Sequence, residues 1–585
     1  MSAFIPQKDP LSLPRRVELD VARKLYRYDY THVSPLAMVD RVPLQDEFAH
    51  RWVVQVAEQV LLGLANMAEI EKAKDHREFH LAKHTLLGKL LRRAEAEFVS
   101  IKSLVDEALR FQSRLSENVE RPQSLEDYAH LFRKIGLPPI AKDFQEDAVF
   151  AAMRVAGPNP VMLQRLKALD SRLAATDADL ATVDPSDSLA AALAEGRLYL
   201  ADYAILDGAE LGDYPHGQKY VYAPLALFVV EKKSKRLMPV AIQCQQRAAA
   251  DNPIFNPRDG YNWLIAKTIV EIADGNVHEA MTHLGRTHLL MEPFVVSTFR
   301  QLAPSHPLYI LLKPHFEGTL AINDAAWKQL IASKGGVEKL MGGSLRTSRG
   351  AVVKAVQTAF DEAQLPKGLA ARGVDDAGCL PEYPYRDDAL LYWNAIHQWV
   401  EEYVGLYYIS EADLAGDFEL QAWYTELKAQ DGGRINGLGN DAVLGSRSRL
   451  VDIVATVIYT SSVQHAAVNF PQFDLMSYVP NLPLAGYTPA PTAKQGATEA
   501  DYLAMLPPLD MAELQLNLGF LLGGIHYTTL GQYGLLHFRD GRVKAPLAKF
   551  HKALQEIGTT ISQRNQSRRP YEYLSPAGVP QSINI

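Results

Sequence analysis

The 585-residue chain carries a net charge of −8, is 47% hydrophobic and 22% charged, and contains two cysteines. This composition belongs to packed proteins rather than disordered ones, and the negative balance excludes a general nucleic-acid binder, which would show a basic stripe. Cys244 and Cys379 are too few and too far apart for a disulfide framework or a thiolate metal site, so a reducing cytoplasm is the expected compartment, and residues 1–10 lack the pattern of a signal peptide.

Along the chain, residues 45–115 are free of proline and rich in Ala, Leu, Glu, Lys and Arg at helical spacing, which predicts a helical hairpin or small bundle. The apolar tract 52–70 is interrupted by Gln55, Glu58, Gln59, Asn66 and Glu69 and reads as an amphipathic helix rather than an uncharged span. Pro122 and the stretch 136–140 mark a boundary near 120–140. Residues 169–195 turn to Ala, Asp and Ser and read as a surface loop with weak helical pieces. Residues 199–243 hold β-branched and aromatic runs, split by a turn at 232–236, and predict a small antiparallel sheet. Beyond Pro253 the pattern is mostly helical, with a long apolar helix over 263–300.

That helix carries His278, His283 and His288, five residues apart, and His306 and His315 follow. Residues five apart are displaced by about 140° on an ideal helix, so two such histidines share a metal only if the helix widens to an i to i+5 turn, a device that occurs mostly at functional sites. His465 and Asn469, four apart, share a face of an ordinary helix. The chain ends on apolar, turn-forming residues where a frayed tail would be polar. A buried α-carboxylate there needs a cation to receive it. Imidazole, amide and carboxylate ligands without thiolate suit a non-haem iron open to oxygen better than a structural zinc. Any single histidine on an apolar helix is more often a hydrogen-bonded core residue, and the spacing leaves open which two of His278, His283 and His288 bind. The five-residue spacing, the second cluster and the apolar end together favour a metal.

In order along the chain, the histidine array followed by Glu292-Pro293-Phe294, His306-Pro307, Pro314-His315, Ile322-Asn323, the lead-in Trp263 to Lys267, the run His465 to Phe470, Val479-Pro480-Asn481 and the final isoleucine resemble the lipoxygenase family. The resemblance covers roughly residues 148–585. It implies a mainly α fold, with a large helical catalytic domain over 121–585 that includes a small antiparallel β region, preceded by an N-terminal helical extension over 1–120. That extension stands where animal and plant members carry a membrane-docking β-sandwich.

The resemblance assigns iron ligation to His283, His288, His465, Asn469 and the carboxylate of Ile585, with manganese replacing iron in some relatives. His278, His306 and His315 become structural. Gln472 matches a glutamine linking metal and pocket, Leu330 and Leu522 match two leucines that clamp the reacting carbon, and Ala326 matches the position where alanine accompanies S products. Ala325 stands where several relatives place a basic partner for the fatty-acid carboxylate. The implied reaction adds O2 to a polyunsaturated fatty acid bearing a cis,cis-1,4-pentadiene and yields a hydroperoxide. A hydroperoxide isomerase on the same scaffold, or a non-catalytic helical protein binding lipid or membrane, are the competing expectations. The apolar stripe from Trp52 to Leu64 further suggests lipid contact by the N-terminal helices and a peripheral membrane location, against the alternative that the stripe packs on the catalytic core.

Overall fold

In the computed structural model, which describes residues 3–10, 12–73 and 119–585, helix α1 (Ser12–Leu25) turns Arg15 and Leu19 inward. The buried Arg15 guanidinium is matched by Asp9 at 2.6 Å and by Glu419, which makes an interior charge tolerable. A two-stranded hairpin follows, β1 (Tyr28–Asp29) antiparallel to β2 (Met38–Val39). Helix α2 (His50–Ala73) buries Trp52, Val53, Val56, Leu64, Met67 and Ile70 at helical spacing. It is the one helix among the described residues long and apolar enough to cross a membrane on those grounds alone, yet its Trp52 face is committed to the protein interior. The rest of the helical hairpin expected over 45–115 lies outside the described residues from 74 to 118.

The expected sheet is present, with five antiparallel strands in the order β3 (Leu163–Arg165), β4 (Leu198–Asp202), β5 (Leu225–Val230), β6 (Leu237–Gln243) and β7 (Ile254–Phe255). Tyr199 pairs with Phe228, and the β5/β6 register slips between Leu227 and Phe228, where Pro239 lacks a donor for an unbroken ladder. The strands read as continuous apolar runs because both faces are covered. Tyr199, Ala201, Ala226, Phe228 and Ile242 join the main core, while Leu200, Leu225, Leu227, Val229 and Val240 pack on Leu173, Leu180, Leu189 and Ala192. Residues 169–195 are therefore more than a surface loop. Their short helices Asp177–Leu180 and Leu189–Ala194 are the weak pieces expected, but they lid the sheet's second face. Four buried apolar residues dispersed among polar ones left no periodic signal.

The long central helix runs as α3 (Tyr261–Val277), a π-helical segment His278–Leu289, and α4 (Leu290–Gln301). Pro293 falls in the first turn of α4, where the hydrogen-bond register returns from i+5 to i+4 and a missing donor costs least. Helix α5 (Leu345–Gln357) packs along the π segment. Helices α6 (Pro384–Gly405) and α7 (Arg447–Tyr459) pack side by side, and α8 (His465–Asn469) continues α7 through a second π turn, Thr460–Gln464. Helix α9 (Leu509–Gly523) receives α2, and α10 (Lys544–Arg564) packs on α6. The α1 helix lies against α4, the continuation of the histidine-bearing π segment.

Candidate metal centre and substrate cavity

Four π-helical segments occur among the described residues: His278–Leu289, Ala326–Leu330, Thr460–Gln464 and Gln472–Met476. Each carries or borders a residue named above as a site candidate. Widening the turn by one residue brings His283 and His288 onto one face, as the five-residue spacing demands. His465 and Asn469 sit on a true α turn, as expected, but one bracketed by π turns rather than belonging to an ordinary helix.

The result is a convergence of three imidazoles. Nε2 of His288 lies 3.3 Å from Nε2 of His283 and 3.2 Å from Nε2 of His465, and the latter two are 3.4 Å apart, all buried. Which nitrogens carry protons follows from the partners. His288 Nδ1 donates to Asn323 Oδ1 at 2.9 Å, and that amide is oriented because its Nδ2 donates to the His288 carbonyl at 3.0 Å and to Glu292 Oε2 at 2.8 Å. With Nδ1 protonated, Nε2 of the neutral ring offers a lone pair. His283 turns Nδ1 toward Glu279, 4.0 Å away. Burial keeps all three rings neutral. It lowers the His283 pKa, takes His288 down to about 3, aided by the neighbouring His283, and pushes His465 well below the usual histidine range, aided by His288 and His283. Lone pairs crowded this closely repel unless a cation sits among them. Imidazole nitrogens bound about 2.0–2.1 Å from one ion are roughly 3.0–3.4 Å apart, so the donor set fits a metal. These three form the one such cluster found among the described residues.

Asn469 Oδ1 accepts from Gln472 Nε2 at 2.8 Å and Nδ2 donates to the Leu522 carbonyl at 3.0 Å, which fixes the amide while leaving Oδ1 a second lone pair. Residues 579–585 are wholly buried. Successive tail residues are held from outside. Gln581 N donates to the Thr528 carbonyl at 2.7 Å, and the Gln581 carbonyl meets His315 Nδ1 at 2.8 Å. Ser582 Oγ donates to the Glu317 carbonyl at 2.8 Å, Thr319 Oγ1 to the Ile583 carbonyl at 2.9 Å, and Trp52 Nε1 to the Asn584 carbonyl at 2.5 Å. Ile585 packs with Trp52, Val53, Val56, Leu521 and Ile525, and its backbone acts on the His465 ring, weakly opposing the lowering of that ring's pKa by burial.

The other histidines have different work. His278 Nε2 is spent on the Val468 carbonyl at 2.7 Å, tying the π segment to α8. His306 caps the helix Pro307–Leu312 by accepting from Leu308 N and meets Asp417 at 3.0 Å. His315 holds the tail.

A cavity is lined by Leu330, Val337, Met341, Met476, Leu518, Leu522 and other largely apolar groups, with Glu279 and Gln472 among the polar ones. Gln472 thus touches both the cavity and Asn469. Of the pocket residues named above, Leu330 and Leu522 line this space; Ala326, on the same π segment as Leu330, is buried but does not. Two residues of consequence escaped the sequence reading of roles. Asn323 orients His288, and Glu279, directly after His278, faces the rings of His278 and His283. Burial opposes its ionisation, but the hydrogen bond and charge of the His278 ring, helped by hydrogen bonding to His283, outweigh burial and hold its carboxyl at about 2.

The lipoxygenase family model matches residues 13–583. The linoleate 9/13-lipoxygenase of Pseudomonas aeruginosa is 36% identical over 99% of this chain and 92% of its own length. The polyunsaturated fatty acid lipoxygenase ALOX15B of Rattus norvegicus is 37% identical over 76% of this chain and 66% of its own. Among solved structures, the anaerobic crystal structure of delta413-417:GS LOX in complex with arachidonate superposes with a TM-score of 0.86 at 30% identity, covering 100% of this chain and 84% of that one. With a metal-fitting histidine triad beside an apolar cavity and these likenesses across its length, the chain belongs to the lipoxygenase family.

Proposed function

We propose that this lipoxygenase holds one non-haem iron through His283, His288, His465, Asn469 and the Ile585 carboxylate, and adds O2 to polyunsaturated fatty acids containing a cis,cis-1,4-pentadiene. The observation that carries this reading is the set of three buried, neutral imidazoles whose Nε2 atoms lie 3.2–3.4 Å apart beside an apolar cavity. Iron, when bound, supplies one-electron chemistry for removing hydrogen from the doubly allylic carbon. The chain's own residues bind, orient and keep dry. Leu330 and Leu522 press on the substrate chain, and apolar walls exclude water from the radical that O2 must meet. Gln472 passes the state of the cavity to Asn469 through its 2.8 Å hydrogen bond. Ala326, rather than a glycine, supports S stereochemistry.

The test is metal analysis of the purified protein with oxygen uptake on linoleate. Stoichiometric iron, oxygen consumption and conjugated-diene absorbance are expected. Rearrangement of a preformed hydroperoxide without oxygen uptake would replace this reading with an isomerase, and a metal-free protein would reduce it to lipid binding. Manganese in place of iron would change the cofactor alone. Chiral chromatography of the product tests the S assignment. Residues added after Ile585 turn its carboxylate into an amide and are expected to abolish activity.

In this reading residues 1–120 form a helical extension on the catalytic part, 121–585. Val54, Leu61 and Leu62 on α2 are exposed among the described residues and support lipid contact there. Leu61→Asp with Leu62→Asp tests it without disturbing Trp52, and unchanged vesicle binding would remove the idea.

A further inference from the structure

Outside the metal centre and its cavity, two of the three most exposed large apolar side chains among the described residues sit where a folded chain rarely leaves them. Residues 534–537 form a turn closed by His537 N donating to the Gly534 carbonyl at 2.9 Å. Leu535 and Leu536 occupy its two corners, positions that favour Gly, Asn, Asp or Ser, and they are 103% and 75% exposed. The turn is not loose. His537 Nε2 meets the Ile310 carbonyl at 2.8 Å, and Phe538 packs among Trp399, Tyr403 and Tyr533. Two leucines are therefore held out into water by an anchored base.

A second apolar feature lies alongside. Helix α1 buries Arg15 and Leu19 and turns Leu13, Val17, Val21 and Leu25 outward, a stripe at four-residue spacing. The two features are joined by a short chain of neighbours. Tyr26, the residue after α1, packs on Phe299 with ring centroids 4.9 Å apart, Phe299 packs on Tyr309 at 5.7 Å, and Tyr309 precedes Ile310, whose carbonyl meets His537 at 2.8 Å. Leu44, 88% exposed, is next to Gln45 and Asp46, which hold Tyr26 just beyond the end of α1.

The charge around these side chains selects the partner. Residues 535–552 contain five Lys and Arg and one Asp, in a chain of net charge −8. Arg539, Lys544, Lys313, Arg16 and Lys24 are exposed. The acidic members are Glu18, Asp20, which pairs with Arg23 at 3.5 Å, Asp540, which pairs with Arg542 at 2.7 Å, Glu402, which pairs with Lys549 at 3.0 Å, and Glu556, which pairs with Lys552 at 3.5 Å. Separated apolar prongs with cations between them suit a fluid surface that lets each prong sink while anionic headgroups meet the charges.

We propose that the Leu535–Leu536 turn and the outward stripe of α1 form a face that docks on an anionic lipid bilayer. This surface is distinct from α2, and its test reads binding rather than turnover, so it stands or falls apart from the assigned reaction. The full chain is sedimented with vesicles of phosphatidylcholine alone and of phosphatidylcholine and phosphatidylglycerol in equal parts. Binding to the mixed vesicles, weakened by salt, is expected. Leu535→Asp with Leu536→Asp is expected to lower the partition coefficient by about tenfold or more, and Arg539→Glu with Lys544→Glu is expected to remove the preference for anionic lipid. Val17→Asp with Val21→Asp reports on the stripe independently, and circular dichroism melts confirm that each variant is folded. Absence of binding by the unaltered chain, or binding untouched by all three variants, overturns the proposal. So does a concentration-dependent dimer that the leucine variant dissociates while vesicle binding is unchanged, which would make this face a contact between copies.

Discussion

His278 and His288 are both buried on one widened helical segment, and what separates them is where their nitrogens are engaged. His278 Nε2 is committed to the Val468 carbonyl, whereas His288 Nε2 points at two other imidazoles with its proton held on the far side by Asn323. His288→Ala is expected to leave the purified protein without metal, while His278→Ala retains it at reduced stability. Asn323→Ala frees the His288 ring and is expected to weaken metal binding by roughly 10–100-fold, read by metal content after a graded chelator challenge. The five-residue spacing announced that the helix must widen but could not choose among three histidines. The choice rests on Val468 and Asn323, which lie 190 and 35 residues away in sequence.

At the scale of elements, the π segment must fit against α5 as closely as it fits the metal. A Cβ on Gly285 would come within 2.6 Å of the Ala355 Cβ and 3.3 Å of the Val352 carbonyl. Gly285→Val is therefore expected to push the two helices apart and cost about 1–3 kcal/mol. A lower thermal midpoint together with poorer metal retention would be its signature; a midpoint lowered without metal loss would show that the ligands tolerate the shift. The sheet shows how far pattern reading reaches. Tyr199, Leu225 to Val230 and Leu237 to Gln243 announce strands by themselves, but the cover over their second face, residues 169–195, does not. Its contribution is four buried and three half-buried apolar residues scattered along the segment, and their value exists only once the strands are in place.

Across the whole molecule, the C-terminal tail is brought to the middle, and a buried histidine makes that arrangement sensitive to acid. Burial holds His315, which grips the Gln581 carbonyl, at about 4. An unfolded chain takes a proton there near 6.5. Above that pH the contribution is complete, and it is lost as pH falls from about 6.5 towards 4, by about 2 kcal/mol at pH 5. The urea midpoint of the metal-free protein is expected to drop between pH 7 and pH 5, and His315→Gln to flatten that drop. A second long-range tie joins α2 to the tail. Trp52, 532 residues before Asn584, donates its indole N–H to the carbonyl immediately preceding Ile585. The indole is sealed from solvent only while the tail is docked, so undocking would bathe it in water and shift its emission to the red. The difference spectrum against Trp52→Phe gives the protein a built-in optical gauge of tail seating, readable in real time and without any added dye.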